Sequence, residues 1–124
     1  MSVYEFFLPA SLRVPLRFGV GLYSVFIVWA SLRSTGTGGA IPHFDKVLHL
    51  LVYAVLACAV LLAWPKLSKM KVFLHCAAFG GVMELAQGFT GIGRTVSLMD
   101  GLANSLGAAL GVYIAALLMR KFAR

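Results

Sequence analysis

Residues 80–111 read GGVMELAQGFTGIGRTVSLMDGLANSLGAALG, and most of the polar side chains of an otherwise apolar chain are gathered there. Read as a helix from Ser97 onward, Ser97, Asp100, Asn104, Gly107 and Gly111 recur at steps of three or four and form one seam on one face. Glu84 and Gln87 share a face one helix earlier. Between the two helices, GFTGIGR supplies glycines for a tight reversal and sets Arg94 where the chain re-enters a helix. The stretch therefore predicts a helical hairpin with polar groups on facing walls. A third wall comes from DKVLHLLVY, where Asp45, His49 and Tyr53 recur at steps of four, with Lys46 beside them.

The surroundings of this hairpin decide the fold class. The chain has 124 residues, 60% of them hydrophobic and 12% charged, with a mean hydropathy of +0.90. Soluble domains are about 45–50% apolar, and a transmembrane helix takes about 20 largely apolar residues. Four such helices with short loops use nearly the whole sequence. The expectation is a single all-α domain: an integral membrane bundle of four transmembrane helices, with spans at about 14–32, 46–64, 72–89 and 97–119. The opening residues 1–17, with Arg13 and Arg17 after Pro9, read as a short interfacial segment leading into the first span, with Arg17 left at the interface to snorkel. Ala30-Ser31-Leu32 is a poor cleavage site, so the first span is read as uncleaved. Residues 33–45 form a Gly-, Ser- and Thr-rich loop, and KLSKMK after Pro65 a basic turn. Cys58 and Cys76 fall inside apolar segments and read as packing residues, not a disulfide.

The chain holds 11 Lys and Arg against 4 Asp and Glu. A basic stripe on a soluble protein would suggest nucleic acid, but membrane proteins collect cations at cytoplasmic helix ends, so no nucleic-acid partner is expected. With both termini inside, that side holds Arg13, Arg17, Lys66, Lys69, Lys71, Arg120, Lys121 and Arg124, against Arg33, Lys46 and Arg94 outside. The bias predicts cytoplasmic termini and a cytoplasmic lysine turn. It also brings the polar residues of spans two, three and four together at the outer membrane–water interface.

A carboxylate at the centre of a membrane helix costs roughly 2.5–3.5 kcal/mol, and intramembrane ionisable residues generally face a bundle interior and mark a site. Interhelical hydrogen bonding is the competing role for Glu84, Asp100 and Asn104. Three acids, a histidine and an arginine at one depth exceed what such bonding requires. Asp45 alone reads equally as a helix cap or a site residue. His49, with Asp45 one turn before it, reads as an acid/base group, a metal ligand or a hydrogen-bonded structural residue. Tyr53 reads as core or donor, and His43, in a loop, carries no assignment. His75 lies near the opposite end of its span and is given no part. Gly107 and Gly111 form a small-xxx-small pair for helix packing.

Taken in order, Asp45-Lys46-x-x-His49-x-x-x-Tyr53, Glu84-x-x-Gln87, Arg94, Ser97-x-x-Asp100 and Asn104-x-x-Gly107-x-x-x-Gly111 resemble the VanZ-like family of small bacterial membrane proteins, named for a teicoplanin-resistance protein. The resemblance covers roughly residues 41–120 and leaves the first span without a signature. It implies a bacterial multi-pass envelope protein and no defined reaction. The resistance label does not transfer, since no residue here encodes glycopeptide binding.

Three functions compete on this sequence. In the first, the outer pocket holds an anionic lipid or lipid-linked envelope precursor, with Lys46 and Arg94 on a phosphate and Gln87, Ser97 and Asn104 hydrogen bonding. In the second, the chain is an enzyme, with His49, Glu84 and Asp100 as candidate acid/base residues, or with these and Asp45 around a divalent cation. No dedicated metal or nucleophile motif is present, so no cofactor is assigned. In the third, the chain is a structural subunit, meeting membrane-protein partners or further copies of itself through its Gly/Ala face.

Overall fold

The computed structural model describes residues 8–33, 44–90 and 96–122. Four helices follow one another: α1 (Ala10–Leu32), α2 (Phe44–Ala63), α3 (Lys69–Phe89) and α4 (Leu98–Phe122). Each is long and apolar enough to cross a membrane. They alternate in direction, so α2 and α4 run parallel to one another and antiparallel to α1 and α3.

The helix ends fall a few residues from the sequence-derived spans, for local reasons. α1 begins at Ala10, directly after an extended Pro9 whose carbonyl accepts from the Leu12 and Arg13 amides. It continues through Pro15, so both arginines lie on helix and not on an approach segment. α3 begins at Lys69 because Ser68 caps it, its Oγ accepting from the Lys71 amide at 3.1 Å. The basic turn is thereby partly helical. α4 runs on to Phe122, with Arg120 and Lys121 in its last turn, where cations complement the helix dipole. Its 25 residues span about 37 Å. This exceeds the roughly 30 Å hydrocarbon core and carries the basic end clear of it.

The interior is built from small residues. Ala57, Ala108 and Ala115 are fully buried, among Leu56, Leu61, Val72, Cys76, Val112 and Met119. Both cysteines are free. α2 packs most extensively on α4, and glycine makes that contact close. A Cβ on Gly107 would overlap the Leu50 carbonyl oxygen, and one on Gly111 would overlap that of Ala54. Lipid tails are as apolar as leucine, so helix association in a bilayer rests on close packing of this kind. Large side chains point outward instead, with Phe18, Leu22, Val25 and Phe26 of α1 and Leu102, Leu106 and Tyr113 of α4 exposed. That distribution suits a lipid-facing surface. At the far end, Arg17 ties α1 to α2, its Nε donating to the Ala63 carbonyl at 3.1 Å and its guanidinium lying 5.3 Å from the Trp64 ring.

Candidate functional site at the polar end of the bundle

The start of α2, the end of α3 and the start of α4 meet at one end of the bundle. Asp45 lies in the first turn of α2 and Asp100 in the first turn of α4, where carboxylates complement the positive helix ends. Glu84, Gln87 and Asn104 are the buried polar side chains among the described residues. Each has partners that account for its burial.

His49 lies at the centre. Its Nδ1 donates to Asn104 Oδ1 at 2.9 Å and lies 3.8 Å from Glu84 Oε1, while Nε2 lies 3.5 Å from Asp45 Oδ1. The Asn104 amide is oriented from its other side, Nδ2 donating to the Gly80 carbonyl at 3.5 Å. One imidazole thus connects an exposed carboxylate on its own helix with a buried one on α3. Glu84 in turn accepts from the Ser97 amide at 3.3 Å, which links α3 to the start of α4. Lys46 Nζ lies 3.5 Å from Asp100 Oδ1. Asp45, His49 and Asp100 each bring one potential ligand atom within 4.8 Å of the others, a carboxylate and imidazole set suited to a divalent cation.

Of the residues singled out in the sequence, Asp45, Lys46, His49, Glu84, Gln87, Ser97, Asp100 and Asn104 all reach this end. Arg94 and His43 lie outside the described residues. Tyr53 sits one layer deeper, with its ring 6.1 Å from that of Phe79 and its buried hydroxyl without a hydrogen-bond partner among the described residues. His75 is exposed near the start of α3, where its Nδ1 donates to the Lys71 carbonyl at 2.7 Å. Asp45 lies within its helix, its carboxylate turned to His49. Ser97 accepts the Asp100 amide at 3.2 Å on its Oγ, which is a capping contact.

α1 contributes what the sequence did not signal. Gln87 Nε2 donates to the Ser31 carbonyl at 2.9 Å, pairing a main-chain acceptor in the last turn of α1 that has no intrahelical donor. Beside this bond, α1, α2 and α3 enclose a cleft of about 250 Å³. Asp45, His49, Tyr53 and Gln87 line it together with the apolar Phe26 and Leu48. Gly80 is a second unsignalled element. A Cβ there would come within 2.9 Å of the Asn104 Cβ and 3.1 Å of the Tyr53 ring, so only glycine lets α3 approach closely enough for its carbonyl to hold Asn104.

A family model described as VanZ/LLP1 matches residues 6–119, which includes α1 as well as the motif-bearing helices. No curated protein and no solved structure matches the chain. With nearly its whole length inside that match, this multi-pass membrane protein belongs to the VanZ/LLP1 family.

Proposed function

We propose that this envelope membrane protein holds the head of an anionic lipid or lipid-linked envelope precursor at the polar end of its bundle, in the outer leaflet of the bacterial cytoplasmic membrane. The charge bias of the sequence supports this orientation, with both termini and the lysine turn in the cytoplasm. The observation that carries the reading is the cleft between α1, α2 and α3, lined by Asp45, His49 and Gln87 together with Phe26, Leu48 and Val52. An amphiphile needs polar and apolar contacts within one cleft of this kind. At about 250 Å³ the cleft is below the usual 300–1,000 Å³ of ligand pockets, so it suits a head or part of a chain and not a whole two-chain lipid. Asp45, His49 and Gln87 offer hydrogen bonds to hydroxyl or amide groups, while Lys46, 3.5 Å from Asp100 at the same end of the bundle, is the described cation available to a phosphate.

A second reading has its own observation. His49 faces carboxylates through both ring nitrogens, Asp45 at 3.5 Å and Glu84 at 3.8 Å, an arrangement suited to moving a proton or, with Asp100, to holding a divalent cation. An enzyme acting on the bound lipid would use these groups. The structural-subunit reading draws less support, because Ala103, Gly107, Ala108, Gly111 and Ala115 are buried within the chain and the Gly/Ala face is occupied by α2.

Extraction of bound lipids tests the proposal. Wild-type protein purified in mild detergent should retain a phosphorus-containing amphiphile detectable by mass spectrometry. His49→Ala and Gln87→Leu should retain less of it than the wild type, and His75→Ala should retain as much. Equal retention by all four proteins would contradict the reading.

A further inference from the structure

We infer that the opposite end of the bundle carries a separate binding site for the phosphodiester head of an anionic phospholipid. Charge is segregated along the molecule. Among the described residues the carboxylates are Asp45, Glu84 and Asp100, all at the polar end. Arg13, Arg17, Lys66, Lys69, Lys71, Arg120 and Lys121 lie at the other end and have no carboxylate partner there among the described residues. Orientation in the membrane accounts for a surplus of cations but requires no particular shape around them.

The structure gives that surplus a shape. Where α2 passes into α3, a cleft of about 570 Å³ is lined by Lys66, Ser68 and Lys69 at its rim and by Leu61, Pro65 and Met119. Leu61 and Met119 are 1% and 5% exposed, so the floor of the cleft is the closed bundle core, and Leu67, exposed at 42%, supplies its apolar surface. α3 begins at this rim and adds the positive end of its dipole to the two lysines. Lys69 also borders a smaller, separate cleft with Arg120. Trp64, adjoining Pro65 in the chain and stacked on Arg17, is the kind of residue that marks headgroup depth. A phosphate at Lys66 and Lys69, with the upper chain on the exposed Leu67, matches this surface in charge and in polarity. Basic pockets between membrane helices bind anionic lipid heads in this manner. Under the orientation proposed above, the leaflet concerned is the cytoplasmic one.

Fluorescence quenching by brominated lipids tests the inference on the full chain. A Trp29→Phe background leaves Trp64, beside the cleft, as the reporter. In bilayers of mixed composition, brominated phosphatidylglycerol should quench Trp64 more than brominated phosphatidylcholine at equal mole fraction, and this preference should fall as salt is raised. Each surface lysine is worth about fivefold in affinity for an anionic lipid, so the Lys66→Gln, Lys69→Gln pair should weaken the preference by about 30-fold. Arg120→Gln with Lys121→Gln removes the same charge from the same end outside this cleft and should weaken it far less. Inorganic phosphate should lower the preference no more than chloride does at the same ionic strength. Equal quenching by the two lipids, equal losses in the two double variants, or a loss with inorganic phosphate beyond that with chloride at equal ionic strength would each overturn the assignment. The wild-type salt dependence is readable even if a variant fails to insert.

Discussion

The glycine contact between α2 and α4 gives the sharpest test of the fold, because α4 contains its own control. Gly107→Ala adds one methyl group that would overlap the Leu50 carbonyl oxygen, and Gly111→Ala adds one against Ala54. Carbon needs about 3.5 Å or more from a neighbouring heavy atom, so α2 and α4 must move apart in either variant. Overpacking of this sort costs about 1–3 kcal/mol. Alanine's better helix propensity returns roughly 1 kcal/mol of that. A net loss of about 0–2 kcal/mol is expected for each substitution, and a larger one for Gly107→Leu or Gly111→Leu, which cannot be accommodated by a small shift. Gly101→Ala lies on the same helix and meets nothing within 4 Å, so it should be neutral or stabilising by up to about 1 kcal/mol. Thermal unfolding in one detergent, followed by tryptophan fluorescence, compares the variants directly. If both leucine variants melt like wild type, or if Gly101→Ala is as damaging as they are, the close α2–α4 contact is wrong.

Orientation is checked by single cysteines at Ser68 and Thr37 in a background lacking Cys58 and Cys76: a membrane-impermeant reagent added to intact cells should label position 37 and spare position 68. Ser97→Ala removes the oxygen that accepts the Asp100 amide and should cost about 1 kcal/mol in a melting experiment, with no cost expected if Ser97 serves a ligand alone. Glu84→Gln, Arg94→Gln and Asp100→Asn retain approximate size while removing charge, so a ligand site should lose function in a folded, inserted protein. Complementation of an envelope-stress phenotype reads this out, with His49→Ala damaging and His75→Ala mild; full activity in the three charge-removing variants would leave only interhelical bonding for these side chains.

Much of this architecture is legible in the sequence because its signals are local. Apolar runs give the four helices, and steps of three and four bring Asn104, Gly107 and Gly111 onto one face. The helix ends were less legible, since α1 starts at Pro9 and α3 at its Ser68 cap, and neither is marked by a change in hydropathy. Ser97-x-x-Asp100 carries a capping pattern as well as a place in the polar seam, and the structure shows the capping contact. The contribution of Ser31 was out of reach because it acts through its carbonyl, a group every residue possesses, and that of Gly80 because its missing side chain matters only once Asn104 and Tyr53 are packed against it. α1 has no polar motif of its own and joins the site through the Ser31 carbonyl and as a wall of the cleft.

The central claim is that the polar end receives a ligand and does not merely fasten helices to one another. A high-resolution structure of the protein in nanodiscs made from bacterial envelope lipids tests it most directly. The account predicts headgroup density in the cleft between α1, α2 and α3, within hydrogen-bonding distance of Asp45, His49 or Gln87, with an apolar chain against Phe26 and Leu48. A cleft closed by its own side chains, with lipid confined to the outer faces of α1 and α4, would contradict it.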